Sequence, residues 1–326
     1  MNLIEKKVLG EVLQCIAPSL DHFEQYYQQQ LRNPHAFLQP VLDYLGFEEG
    51  KRLRPALCFL THGLYAAPDT KTVPLAVIVE LLHMASLVHD DVVDHSGIRR
   101  GRHSINAVWG NKVAVLLGDY LFAKILTLAV RTDLDTVTRI GEAVIQMGEG
   151  ELRQVLDSPV DITRDVYLDI IRKKTARLFG LACEFGGLAA SVDAPELNRL
   201  TVLGESIGMA FQIQDDILDF AGNVEKMGKP VRQDIHQGVV SAPLVFAMEN
   251  MDPESRRLKM HTWFQGNGEY VKEVHDFIRE RDGISLALHQ ADMYRNEAMR
   301  LLAAYPASQY REGIEKILNI GAAELV

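Results

Sequence analysis

The sequence has no surplus of basic residues. In its 326 positions, 34 Lys and Arg face 44 Asp and Glu, a net charge of −10. Proteins that bind nucleic acid across a broad surface are usually basic, so no nucleic-acid partner is expected. Cysteine is scarce: Cys15, Cys58 and Cys183 lie far apart, with no CxxC and no metal-ligand spacing. This pattern argues against a disulfide framework and a zinc site, and for reduced core thiols in a cytoplasmic protein. No serine or cysteine stands in a nucleophile elbow or shows a catalytic pairing with a histidine, so covalent catalysis has no support. Linkers, low-complexity tracts and tandem repeats are missing, and no window alternates as a strand would. The opening "MNLIEKKVLGEVLQCIAPSL" mixes charges and is broken by Glu11 and Gln14, unlike a signal peptide.

What remains is helical signal. "TVPLAVIVELLHMASLVHDDVVD" has Thr72 as a candidate cap, Pro74 in the first turn and Gly97 beyond its end. "NKVAVLLGDYLFAKILTLAV", "TVTRIGEAVIQMGEGELRQVL", "TRDVYLDIIRKKTARLFGLACEFGGLAA" and "ELNRLTVLGESIGMAFQIQDDILDFAG" follow the same logic. The two most apolar stretches, 73–93 and 113–130, carry Glu80, His83, Asp90, Asp119 and Lys124. Membrane spans rarely hold such groups, so both are expected to be buried central helices, with no integral membrane segment. Residues 251–282 read as a loop with peripheral helices, and two amphipathic helices divide near Pro306. The expected fold is all-α: one domain over 1–326, a single large bundle of about a dozen helices, although length alone suggests two domains.

Two stretches break the rules of helix composition. "SLVHDDVVD" (86–94) and "FQIQDDILD" (211–219) each hold two aspartates, two apolar residues and a third aspartate behind apolar sequence. Asp90 and Asp94 fall on one helical face, as do Asp215 and Asp219. Each set lies near a helix C-terminus, where the dipole is negative and anions are disfavoured. A solvated acidic helix end explains one such motif. Two at matched spacing call for a compensating cation, and carboxylates without His or Cys suit Mg2+. Ca2+ loops fit less well, because the EF-hand glycine and terminal glutamate are missing.

An acidic protein that binds a Mg2+-diphosphate also needs local cations. "GKRLRP" (50–55) supplies Lys51, Arg52 and Arg54, with Pro55 opening a helix. "GIRRGRH" gives Arg99 and Arg100, "IRKKTARL" gives Lys173, Lys174 and Thr175, and "KMGKP" gives Lys226 and Lys229. Any one of these is otherwise an ordinary surface cluster; it is their occurrence beside paired acidic motifs that makes them candidates. His83, two turns before Asp90, shares its face and is either a satisfied core histidine or a ligand. Gln212 lies three before Asp215, and "MGEGELRQ" (147–154) is polar within a helix and reads as supporting structure.

With these residues in view, the chain resembles the trans-isoprenyl (polyprenyl) diphosphate synthases over nearly its whole length. The matching stretches are "GKRLRP", "ELLHMASLVHDDVVDHSGIRRG", "NAVWGNKVAVLLGDYLF", "IRKKTARLF" and "GMAFQIQDDILDFAG". The resemblance implies a helical bundle around a deep central cavity, usually a homodimer, that condenses isopentenyl diphosphate with an allylic diphosphate. It also implies that Asp90, Asp94 and Asp215 bind Mg2+, about three ions, together with the allylic diphosphate, with Asp91, Asp216 and Asp219 in support. Arg99, Lys174, Thr175, Gln212 and Lys229 would contact that diphosphate, and Lys51, Arg54, His83 and Arg100 would hold the diphosphate of isopentenyl diphosphate. The sequence departs from the family's usual pattern at Arg232, Val239 and Ala242, at His103 where proline is common, and in the tail "GAAELV", which lacks basic residues.

In this family, residues just before the first motif help set the floor of the product tunnel. Ala85 and Ser86 are small here, which implies a product of about C20 or longer, with Leu81, Leu82 or the 113–130 helix as a deeper floor. Ala85→Phe is expected to shorten the product. The alternatives are a short-chain synthase (farnesyl or geranylgeranyl), a terpene cyclase, a subunit of a heteromeric synthase, and a helical scaffold. The second DDxxD weighs against a cyclase, and the retained acids and cations weigh against a subunit that is inactive by itself.

Overall fold

The computed structural model describes residues 3–46, 50–99, 101–222, 240–265 and 270–320. One of its two most apolar segments is also among its most enclosed. Thr72–Val93 forms α5, a single helix whose most apolar window is 72% buried. Through Leu82 it carries leucine, isoleucine and valine on every side and leaves almost no solvent face, so neighbours surround it there. These are α2 (Ala17–Leu31), α4 (Leu53–Gly63), α7 (Asn111–Val130) and α10 (Arg177–Ala189). Thr72, a candidate cap on sequence, does not cap: its hydroxyl pairs with Nδ1 of His62 at 2.7 Å.

α1 (Leu3–Gln14), α3 (Gln39–Gly46), α6 (Ile105–Trp109), α8 (Leu134–Leu156), α9 (Arg164–Ile171) and α11 (Ala194–Gly222) complete the larger part. α12 (Ala242–Ala247), α13 (Pro253–Gln265), α14 (Val271–Glu280), α15 (Gly283–Leu302) and α16 (Gln309–Leu318) follow. A two-stranded antiparallel hairpin pairs Ile98 with His103 and Arg99 with Arg102. Asp133 begins α8 by accepting a hydrogen bond from the Thr136 amide at 2.6 Å.

The buried apolar residues fall into two clusters, and α11 joins them. Leu200, Leu203 and Ile207 belong to the first; Met209, Ile213 and Ile217 belong to the second. The second acidic motif therefore stands on the helix that both clusters grip.

Three further sequence expectations need correction. α7 is only 39% buried in its most apolar window: Val115, Leu116, Leu126 and Val130 are exposed, as are Leu134, Ile145, Leu152, Val155 and Leu156 at or on α8. α7 packs on α5 along one side only, so its other apolar side remains on the surface. Residues 163–190, expected as one helix, contain a π-helical turn, Arg172–Ala176, between α9 and α10. Two glycines admit this wider turn. A Cβ on Gly150 of α8 would meet the Lys174 amide nitrogen at 2.8 Å, and one on Gly208 of α11 would meet the Ala176 Cα at 2.6 Å. Finally, α4 starts before Pro55, at Leu53, with Arg52 as its N-cap in the left-handed region, φ 50°. Pro55 still fits, because the first turn of a helix leaves its N–H groups unpaired.

Candidate active site

α5 and α11 both deliver aspartates at their C-terminal ends. On α5, His83, Ser86, Asp90 and Asp94 are partly open, whereas Leu81, Leu82 and Ala85 are closed in the core. At 3.6 residues per turn, Ser86 lies about 40° round the helix from Asp90 and Ala85 about 140°. The open stripe is thus the face that carries the acids. Burial, then the neighbouring Glu151, raises the Asp90 carboxyl from its ordinary 3.8 to about 7; Asp94 adds to this, and Lys174 and Arg99 oppose it.

Asp91 has a different job from Asp90. Its carboxylate is buried and holds Arg99, which donates from Nη2 at 2.7 Å and Nε at 2.8 Å. Its carbonyl accepts from the Asn106 amide at 2.9 Å. The structure therefore places Arg99 beside the first motif by pairing it with Asp91.

In the second motif, Asp215 is held above its ordinary pKa by burial, with Lys51 pulling it down, so the "GKRLRP" turn comes within electrostatic reach of α11. Asp216 is enclosed by three donors: the Tyr167 hydroxyl at 2.8 Å, the Gln212 amide at 2.9 Å and the Ala242 backbone N–H at 2.9 Å. Burial outweighs these donors and raises Asp216 to about 6. Gln212 in turn accepts from the Thr175 hydroxyl at 3.0 Å. Asp216 therefore anchors the start of α12 and orders Gln212 and Thr175.

A pocket of about 250 Å3 gathers these groups, with Asp94, Gln154, Tyr167, Lys174, Thr175, Gln212 and Asp216 among its walls. The π turn splits its two lysines. Lys173 pairs with Glu149 at 3.2 Å, while Lys174 enters the pocket and pairs with Glu151 at 2.7 Å and Gln154 at 3.1 Å. Arg54 stacks on Phe179 at 4.4 Å. His83 lies two turns before Asp90 on the open stripe. Arg100, Lys226, Lys229, Arg232, Val239 and the tail 321–326 lie outside the described residues.

Sequence reasoning missed Tyr167 as a partner of Asp216. It left Glu151 and Gln154 unnamed inside "MGEGELRQ". Gly150 in that stretch was a usable signal, since a glycine inside a helix often marks a close approach.

The pocket walls offer oxygen donors and a lysine, without thiol or imidazole. This donor chemistry fits a hard divalent cation. Among the described residues no three acidic, histidine or cysteine side chains close round one point. Mg2+ asks only one or two carboxylates of a protein and completes its shell with water and substrate phosphate.

An all-α fold with acidic helix ends and cations around one pocket is that of the isoprenoid synthases, and the activity class is prenyl transfer. The chain belongs to the polyprenyl synthetase family, whose sequence pattern matches residues 35–280. It is 34% identical over 318 residues to the geranyl-diphosphate-specific all-trans-nonaprenyl-diphosphate synthase of Rhodobacter capsulatus, covering 95% of this chain and 96% of that protein. It is 38% identical over 269 residues to heptaprenyl diphosphate synthase component 2 of Geobacillus stearothermophilus, covering 80% and 82%. A polyprenyl synthase of Caulobacter crescentus, solved in complex with calcium and isoprenyl diphosphate, superposes with a TM-score of 0.86 at 29% identity, covering 97% of each chain.

Because Gly150 seats the π turn, Gly150→Ala is expected to push Lys174 away from Glu151. The added Cβ would also stand 2.8 Å from the Lys173 Cβ and 3.2 Å from the Ile170 carbonyl. Steady-state kinetics should show kcat/KM down about tenfold or more, with helix content unchanged. Wild-type kinetics would show that the turn absorbs the methyl group.

Proposed function

We propose that the chain condenses isopentenyl diphosphate with an allylic diphosphate and repeats the step to build an all-trans polyprenyl diphosphate of medium to long chain. The observation that carries this reading is that Asp94 of the first motif, Asp216 of the second and Lys174 line one pocket.

Asp90, Asp94 and Asp215 would hold Mg2+, which when bound offsets the charge that builds on the leaving diphosphate. Lys174, Arg99, Thr175 and Gln212, with Lys229, bind that diphosphate, and the cations share in stabilising it as the allylic C–O bond breaks. Lys51, Arg54 and His83, with Arg100, hold isopentenyl diphosphate so that its double bond faces the allylic carbon. A new C–C bond forms, and a proton then leaves the adduct, taken by the released diphosphate. The apolar helices keep water from the cationic intermediate. The substrates are water-soluble diphosphates, which suits a cytoplasmic enzyme.

The test is a chain-length assay with Mg2+, labelled isopentenyl diphosphate and, in turn, C5, C10, C15 and C20 primers. A product ladder ending at one length supports the reading. No incorporation from any primer counts against a self-sufficient synthase.

The exposed apolar face of α7 and α8 supports a second copy of the chain as partner. An aspartate there would have to be buried unpaired. Leu116, 58% exposed, is a suitable probe. Leu116→Asp is expected to halve the mass seen by light scattering while leaving the fold intact. The likeness to a component 2 protein favours a second occupant, a different subunit. A monomeric, inactive wild-type protein would favour that occupant.

A further inference from the structure

Arg52 of "GKRLRP" is held by two carboxylates away from the acidic motifs. Its Nε donates to Glu24 at 2.7 Å, its Nη2 reaches the other Glu24 oxygen at 3.4 Å, and its Nη1 donates to Glu80 at 2.5 Å. The guanidinium lies 4.8 Å from the Tyr27 ring centre and 5.7 Å from that of Phe23. Its backbone adopts φ 50°, ψ 29°, a left-handed state that costs a non-glycine residue about 1 kcal/mol. The side chain's interactions must outweigh that cost. A planar fork that meets two carboxylates while stacked on an aromatic ring is a task for arginine and not for lysine.

Lys51 and Arg54 flank this residue. Lys51 is exposed and close enough to Asp215 to lower its pKa, and Arg54 stacks on Phe179 of α10. Glu80, only 4% exposed in its side chain, lies on α5, the helix that ends in Asp90. We infer that Arg52 is a positioning residue: with Glu80 and Glu24 it fixes the left-handed turn that sets Lys51 and Arg54 at the isopentenyl diphosphate subsite. This rests on the reading above that those two cations hold that diphosphate. The clamp fastens the turn to α5 and α2, so the subsite keeps a set distance from the first acidic motif.

The test uses the full chain with Mg2+, varying each substrate while the other is saturating. Arg52→Gly keeps the left-handed backbone at no cost and removes the clamp. Its KM for isopentenyl diphosphate should rise about tenfold, with the allylic KM and kcat within about twofold. Arg52→Lys should fall between this and wild type, because it restores charge without the fork. Should Arg52→Gly fold poorly, Glu24→Gln gives a second reading: Glu24 is 42% exposed, the Glu80 pair survives, and a smaller rise in the same KM is expected. An unchanged KM for isopentenyl diphosphate in these variants overturns the inference, as does an equal loss on both substrates and kcat. Lys51→Ala separates the two levels. If it raises that KM and Arg52→Gly does not, only the positioning role fails; if it leaves that KM unchanged, the subsite assignment itself fails.

Discussion

Asp90→Ala and Asp215→Ala are each expected to lower kcat by roughly three orders of magnitude, with the fold retained. Each removes a hard oxygen donor proposed to hold the cation opposite the leaving diphosphate. Asp91 cannot stand in for Asp90, because Arg99 holds it. Asp216→Ala should behave differently. It breaks hydrogen bonds from Tyr167, Gln212 and the Ala242 amide, so stability falls by about 2 to 3 kcal/mol along with activity. Thermal melts beside steady-state rates distinguish the two patterns. Asp90→Ala retaining a tenth of wild-type kcat would remove it from the metal site.

The same carboxylate gives a pH signature. Asp90 is raised in the folded chain from 3.8 to about 7. Between those values the unfolded chain has lost a proton that the folded chain keeps. Stability of the metal-free protein therefore falls as pH rises through this window and levels off above about pH 7. Asp216, raised to about 6, adds a change of the same sign over a narrower range. Asp90→Asn should flatten the slope of the melting temperature between about pH 5 and about pH 8. Adding Mg2+ with diphosphate should restore stability most at the alkaline end, where Asp90 is already ionised. Parallel slopes for wild type and Asp90→Asn would contradict this assignment.

Much of the architecture was legible because the chain is locally consistent. Unbroken apolar periodicity located α5, α7 and α11 nearly to the residue, and the acids at two helix ends stood out because they oppose the dipole. The π turn was not legible. Four of its residues, "RKKTA", are good helix formers, and the widening depends on glycines at 150 and 208, which are distant in sequence. Nor could composition tell Asp90 from Asp91, or Asp215 from Asp216. Asp91 anchors Arg99 and Asp216, itself on the pocket wall, anchors Gln212 and the start of α12, whereas Asp90 and Asp215 are the two proposed to hold the cation. That division is set by helical phase together with Arg99, Tyr167 and Ala242, which arrive from elsewhere in the chain. The surface side of α7 was misread because an apolar helix reads the same whether its second side meets this chain or another surface.

Ser86→Phe is expected to shorten the product to about C15 to C20, and Ala85→Phe to do less than it does. Both positions carry small side chains before the first motif, but the helix separates them. Ser86 is half-buried on the stripe that bears Asp90, one turn below it, with its hydroxyl donating to the His83 carbonyl at 2.9 Å. A ring added there stands on the acid-bearing stripe, one turn below the proposed metal site. Ala85 is fully enclosed and belongs to the main apolar cluster, as do Leu81 and Leu82. A phenylalanine at 85 must push into a packed core and costs about 1 to 3 kcal/mol. The variants should therefore separate on two axes. Ser86→Phe changes product length at near wild-type melting temperature, and Ala85→Phe lowers the melting temperature by several degrees with a smaller change in length. Product sizing by mass after dephosphorylation, beside melts of both variants, decides the matter. A shortened product from Ala85→Phe alone would move the tunnel wall to the other side of α5 and detach chain length from the acidic stripe.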